Sequence, residues 1–147
     1  MNTGRIYYFF IIPIAAVLYI AYMIYRLKTN SKRRKEFLEQ YPNASKVFIG
    51  KGNAFTQYLM GTIKIISVDG ERPTLFTEKM RAGFYAAPGT HIVESTFEKT
   101  RPGILSRTVT TKYGPSKQEI TVGSSKRYVY RFDNKSESYH FEEESGE

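Results

Sequence analysis

An uninterrupted stretch of twenty residues without a charge, Ile6 to Tyr25 (IYYFFIIPIAAVLYIAYMIY), sets the first limit on what this chain can be. At about 1.5 Å per residue it makes a helix roughly 30 Å long, which is the thickness of a bilayer's hydrocarbon core. A helix packed on a soluble domain would carry a polar stripe, and this stretch carries none. Tyr7 and Tyr8 near one end and Tyr22 and Tyr25 near the other suit the headgroup layers, where a phenol can meet water. A cleaved signal peptide would have a shorter apolar region ending in a small-x-small site. Here the run passes directly into Arg26 and Lys28, so a permanent single span over 1–27 is expected, with Pro13 kinking it or loosening one turn. There is no GxxxG pattern to mark a helix-dimerisation face.

Charge gives the span a direction. Only Arg5 and the terminal amine precede it, whereas Arg26, Lys28, Lys32, Arg33, Arg34 and Lys35 follow it closely. The positive-inside rule places the richer flank in the cytoplasm, which predicts a cell-membrane protein with a short outer N-terminus and a cytoplasmic C-terminal domain. These six cations are the expected membrane-surface contacts. Setting the topology is the preferred account of them, ahead of specific sensing of anionic lipid headgroups. The helix can continue from Arg26 to Gln40, where Tyr41-Pro42 ends it, because the residue before proline avoids helical geometry. Residues 28–45 therefore read as a basic juxtamembrane connector.

From Lys46 onward the helical period is replaced by short apolar runs and turn signals. The expected strands are Lys46–Ile49, Ala54–Leu59, Thr62–Val68, Gly83–Ala86, His91–Glu98, Leu105–Thr111, Gln118–Val122, Arg127–Phe132 and Ser138–Glu142. Asp69-Gly70, Pro88-Gly89, Pro102-Gly103, Gly114-Pro115 and Asp133-Asn134 separate them, and Thr77–Arg81 is a short helical competitor. Alternation is clearest at the end of the domain. Tyr128, Tyr130 and Phe132 share one face and Arg127, Val129 and Arg131 the other, with Tyr139 and Phe141 alternating on a hairpin partner. The fold class is mainly β: a single N-terminal transmembrane helix followed by a small antiparallel β-sandwich over 46–142, then an acidic tail over 143–147.

The segments IKIISVDG (Ile63–Gly70) and FYAAPGTHIV (Phe84–Val93) resemble the PEGA-type and DUF2846-type modules, small transthyretin-like β-sandwiches attached to membrane or envelope proteins. The likeness covers about 62–132. It implies a hairpin turn at Asp69-Gly70, a turn into the next strand at Pro88-Gly89, later loops at Gly103 and Gly114, and a closing strand near Lys126–Phe132. It also implies a non-catalytic binding or spacing role.

Few residues offer chemistry. With no cysteine, disulfides and thiolate metal sites are excluded. His91, following Pro-Gly-Thr, reads as a turn-supporting or core-edge residue, although an enzyme site near it is one alternative. His140 before Glu142, Glu143 and Glu144 belongs to a solvated acidic tail more readily than to a metal site. HExxH, Walker and GxSxG motifs are absent, and Gly50-Lys51-Gly52-Asn53 reads as a turn. Neither a catalytic residue nor a metal or cofactor is expected. Between Lys46 and Phe132 there are 14 basic and 6 acidic residues, with Lys126, Arg127 and Arg131 in the densest basic patch, where a partner protein is expected to bind. Nucleic-acid binding there is disfavoured, because the interleaved Tyr128 and Tyr130 are needed by the core. The expected function is a non-enzymatic, protein-binding accessory or scaffold module of a membrane assembly. A sensor or tether acting on anionic lipid headgroups is the other alternative.

Overall fold

In a computed structural model, residues 3–50, 61–105 and 107–145 are described. The expected strand Ala54–Leu59 and most of the Gly50–Asn53 turn lie outside them. One helix, α1 (Thr3–Gln40), precedes eight strands: β1 (Ser45–Ile49), β2 (Thr62–Val68), β3 (Thr74–Glu78), β4 (Arg81–Ala86), β5 (Gly89–Pro102), β6 (Thr108–Val122), β7 (Arg127–Asp133) and β8 (Ser138–Glu143). The chain is mainly β, a long apolar helix followed by two packed sheets.

The helix is continuous for 38 residues and contains Pro13. Its N-terminal part is long and apolar enough to cross a membrane, and none of that part is buried against the sheets. From Arg26 to Gln40 it extends about another 22 Å. Tyr41 N–H still reaches the Phe37 carbonyl (2.8 Å), and the chain then turns through Ala44 N–H to the Tyr41 carbonyl (3.0 Å). Ser45 locks the entry into the sandwich. Its buried hydroxyl donates to the Gly123 carbonyl (2.6 Å) and accepts Lys126 N–H (2.8 Å). Ser125 N–H reaches back to the Asn43 carbonyl (2.9 Å), so connector and β6–β7 turn are stitched together.

The sheets run β3-β4-β1-β7-β8 and β2-β5-β6. All these pairings are antiparallel except β1 with β7, which is parallel. Val47, Ile49, Phe84, Ala86, Tyr128 and Tyr130 from the first sheet meet Ile63, Val93, Phe97, Ile120 and Val122 from the second in one core. Aromatic stacking extends it at the end away from the helix: Phe97 lies 4.3 Å from Phe132, and Tyr130 lies 5.3 Å from Tyr139. The alternation expected for β7 and β8 is present, with Tyr128 and Tyr130 buried and Phe132, Tyr139 and Phe141 packed on the core.

Three expectations need correction. Thr77–Arg81 is not helical: it joins β3 to β4 through Lys79 and Met80, both at positive φ (48° and 63°), a two-residue turn of the type that matches strand twist. Leu105–Thr111 and Gln118–Val122 are not two strands around a Gly-Pro loop. Leu105 and Arg107 lie outside the strands, and Thr108–Val122 is one strand in which Gly114 and Pro115 form a bulge opposite Thr96. Finally, Asp69-Gly70 closes a tight turn, with Val68 bridging Glu71, but the hairpin is one bridge long. The chain then crosses from β2 in one sheet to β3 in the other. Pro88-Gly89 does lead into the next strand.

Candidate functional site

Where α1 meets the sandwich, the crossing from β2 to β3 leaves a groove of about 430 Å³. Phe37 and Gln40 supply the helical wall, extended by Tyr41 just past the helix end, and Arg72, Tyr85 and His91 line the sheet side. The two walls come together because the helix ends just before β1, whose neighbour β4 carries Tyr85, and because β4 leads through Pro88-Gly89 to His91.

His91 and Asp69 form the polar centre of this groove. Asp69 occupies the left-handed region (φ 53°), which places its carboxylate over the start of β5. Oδ2 lies 2.5 Å from His91 Nδ1, and Oδ1 accepts Ile92 N–H at 2.7 Å. His91 Nε2 faces the Ala87 carbonyl at 2.6 Å. Both ring nitrogens thus face oxygen atoms. The imidazole clamps the Asp69 turn to the β4–β5 connection.

The hydrogen bond from His91 is the main reason the Asp69 carboxyl is held below its ordinary range, aided by the Ile92 amide and opposed by partial burial. A depressed carboxyl contributes stability above its unfolded-state value and loses it as pH falls through the folded one. We therefore expect stability to decline below about pH 4 with a component absent from Asp69→Asn. Asparagine tolerates the same φ and can still accept from Ile92, but its amide nitrogen then stands where Oδ2 met His91 Nδ1, so the change removes the charge and that contact together. Because Asp69 is about half exposed, its neutral-pH cost should be only about 1 kcal/mol. Urea unfolding of both proteins as a function of pH measures this, and parallel profiles would refute it.

The cations singled out in the sequence fall into two groups. Arg26, Lys28, Lys32, Arg33, Arg34 and Lys35 lie on α1, where 3.6 residues per turn distribute them around the helix instead of along one stripe. Lys32 pairs with Glu36 at 3.8 Å. The other group, Lys126, Arg127 and Arg131, stands on or beside β7 and faces the acidic C-terminal segment. Lys126 meets Glu143 (3.1 Å), Arg131 meets Glu142 (2.9 Å), and Arg127 approaches Glu144 (3.5 Å) and Glu78 (3.7 Å). Arg127 and Arg81 also lie over the Phe48 ring, at 4.8 and 4.3 Å, and cover it on the face away from the second sheet. This patch is charge-balanced within the domain. Of the turn residues, Asp69 alone takes part in the groove's polar contacts; Gly70 and Pro88 are exposed in their turns, and Gly89 is the exposed first residue of β5.

Among the described residues no group of three or more His, Cys, Asp or Glu is placed to hold a metal ion. His140 Nε2 contacts the Ser138 hydroxyl at 3.2 Å. Tyr41, Gln40 and Tyr85 were not legible as groove residues in the sequence, because they gain that role only when the helix end is set beside β4. The chain matches no protein-family model, no curated protein and no solved structure.

Proposed function

We propose that this chain is a non-enzymatic, single-pass membrane protein that holds a recognition sandwich on a helical stalk and serves as an accessory or scaffold subunit of a membrane assembly. The positive flank of the span favours a cytoplasmic sandwich in the cell membrane. One observation carries the reading: the groove between stalk and sandwich offers Phe37, Tyr41 and Tyr85 as partly exposed aromatic surface around a hydrogen-bonded His91–Asp69 pair. Aromatic side chains beside fixed polar groups suit a short segment of a neighbouring protein, which they can hold with little loss of side-chain freedom. The occupied nitrogens of His91 support a structural histidine over a catalytic one.

The six cations beyond the span support a stalk that passes through the headgroup layer. A helix lying flat on lipid would gather them on one side.

A photo-crosslinking amino acid at Gln40, on the groove's helical wall, tests the proposal in native membranes. A discrete adduct is expected, absent when the same residue is placed at Lys135 on the far β7–β8 turn. No adduct, or identical adducts from both positions, would overturn the groove as the partner site.

A further inference from the structure

The second sheet does not end where the sandwich ends. β2 begins at Thr62, opposite Glu98, so beyond it Lys99 to Pro102 of β5 pair with Thr108 to Thr111 of β6 alone among the described residues. This two-stranded ribbon projects roughly 20 Å past β2, at about 3.3 Å per residue. It is internally tied. Glu98 pairs with Lys112 (2.9 Å), the Thr100 and Thr110 hydroxyls meet across the strands (3.2 Å), and Gly103 N–H closes the turn on the Arg107 carbonyl (2.5 Å).

The side chains on the ribbon are graded by height. Ile104 and Leu105 occupy the apex, at 104% and 87% relative exposure, where a polar turn would cost nothing in water. Arg101 and Arg107 come immediately behind, one on each strand side of the turn, then exposed threonines and Lys112. From Lys99 to Lys117 there are five basic residues and no acidic one. The aliphatic apex is convex, so it needs a partner that yields around it.

From this gradient we infer that the tip of the β5–β6 ribbon inserts into an anionic bilayer surface, a second membrane contact distinct from α1. Ile104 and Leu105 enter the acyl boundary, Arg101 and Arg107 lie at phosphate level, and the threonines remain in the wet headgroup layer. Gly103 N–H is already held by the Arg107 carbonyl, and the other polar backbone groups at the apex can keep water in the headgroup layer. An acidic protein surface would answer the charge but gives no account of two aliphatic side chains at a convex apex. This contact is independent of the groove, which lies by the start of β5, thirteen residues and about 43 Å of strand from Ile104.

The test uses the full chain in phosphatidylcholine nanodiscs, with Leu105→Cys carrying an environment-sensitive fluorophore. The native chain has no competing thiol. Added vesicles of equal phosphatidylcholine and phosphatidylserine should shift the emission to the blue, and nanodiscs of that mixture report contact with the host bilayer. Pure phosphatidylcholine should do neither. Arg101→Gln with Arg107→Gln should weaken the response about thirtyfold, roughly fivefold per cation. Lys135→Gln, the same kind of charge loss outside the ribbon, should leave it unchanged. No response to phosphatidylserine in either arm, an equal response to phosphatidylcholine, or a response undiminished in the arginine variant overturns the inference. A tip that serves an acidic protein gives the first of these results.

Discussion

Gly83→Ala should destabilise the sandwich by about 3 kcal/mol or more, lowering the unfolding midpoint by roughly 10–20 °C. Gly83 is buried in β4, between β3 and β1, at the register point where it pairs with Phe48 on one side and Phe76 on the other. A Cβ there would stand 2.5 Å from the Val47 carbonyl oxygen and 2.6 Å from the Phe76 ring. The ring can swing aside. The carbonyl cannot, because it belongs to the backbone of the central strand β1, so trimming Phe76 to leucine should not rescue the variant. Gly70→Ala makes the informative contrast. Its added Cβ meets nothing within 4 Å, and only its positive φ of 78° resists the change, which should cost about 1 kcal/mol. Thermal unfolding of the full chain in detergent, followed through tertiary tyrosine signals, separates the two. A Gly83→Ala protein as stable as Gly70→Ala would mean that β4 does not lie against β1 as described.

Tyr130→Ala should cost about 3–5 kcal/mol, and Tyr130→Phe about 1–3 kcal/mol, for different reasons. The Tyr130 side chain is fully buried, and its hydroxyl joins the sheets by meeting the equally buried Ser95 hydroxyl at 2.8 Å. Burial pushes the phenol's pKa far above its ordinary value, so this group stays neutral across the accessible pH range. Alanine leaves a cavity where the ring met Tyr139. Phenylalanine keeps the packing but strips Ser95 Oγ of its partner in a dry core. Removing both oxygens, with Tyr130→Phe and Ser95→Ala together, should recover much of the loss, because neither polar group is then stranded. Urea unfolding of the four proteins in this cycle measures the coupling. Strictly additive losses would show that the two hydroxyls do not depend on each other.

How much of this was legible in the sequence depended on which physical signal each feature leaves. The long apolar helix was legible because hydrocarbon thickness imposes a length and excludes charge, and Ile6–Tyr25 satisfies both. The β7–β8 hairpin was legible because a period of two places Tyr128, Tyr130, Tyr139 and Phe141 on one face. β3 was not, because the turn after it uses Lys79 and Met80 at positive φ, and neither residue advertises a tight turn as Asn-Gly would. The long ribbon was hidden by Gly114-Pro115, which reads as a loop but is absorbed as a bulge within β6. Alternation also tells which face a residue occupies and not which sheet it joins. The crossing after Asp69-Gly70, and with it the groove, therefore needed tertiary structure. The pairing of Lys126, Arg127 and Arg131 with the acidic C-terminal segment was foreshadowed by opposite charge alone, and strand register determined the partners.

In the proposed topology α1 crosses a membrane once and leaves the sandwich on the cytoplasmic side. Because the chain has no cysteine, single thiols introduced by Asn2→Cys and, in a second protein, Ser136→Cys report the two sides without interference. Labelling intact cells with a membrane-impermeant maleimide should modify only the Asn2→Cys protein, with the Ser136→Cys protein reacting once the cells are opened. Reaction of Ser136→Cys alone in intact cells would contradict the orientation, and reaction of both would contradict the span itself.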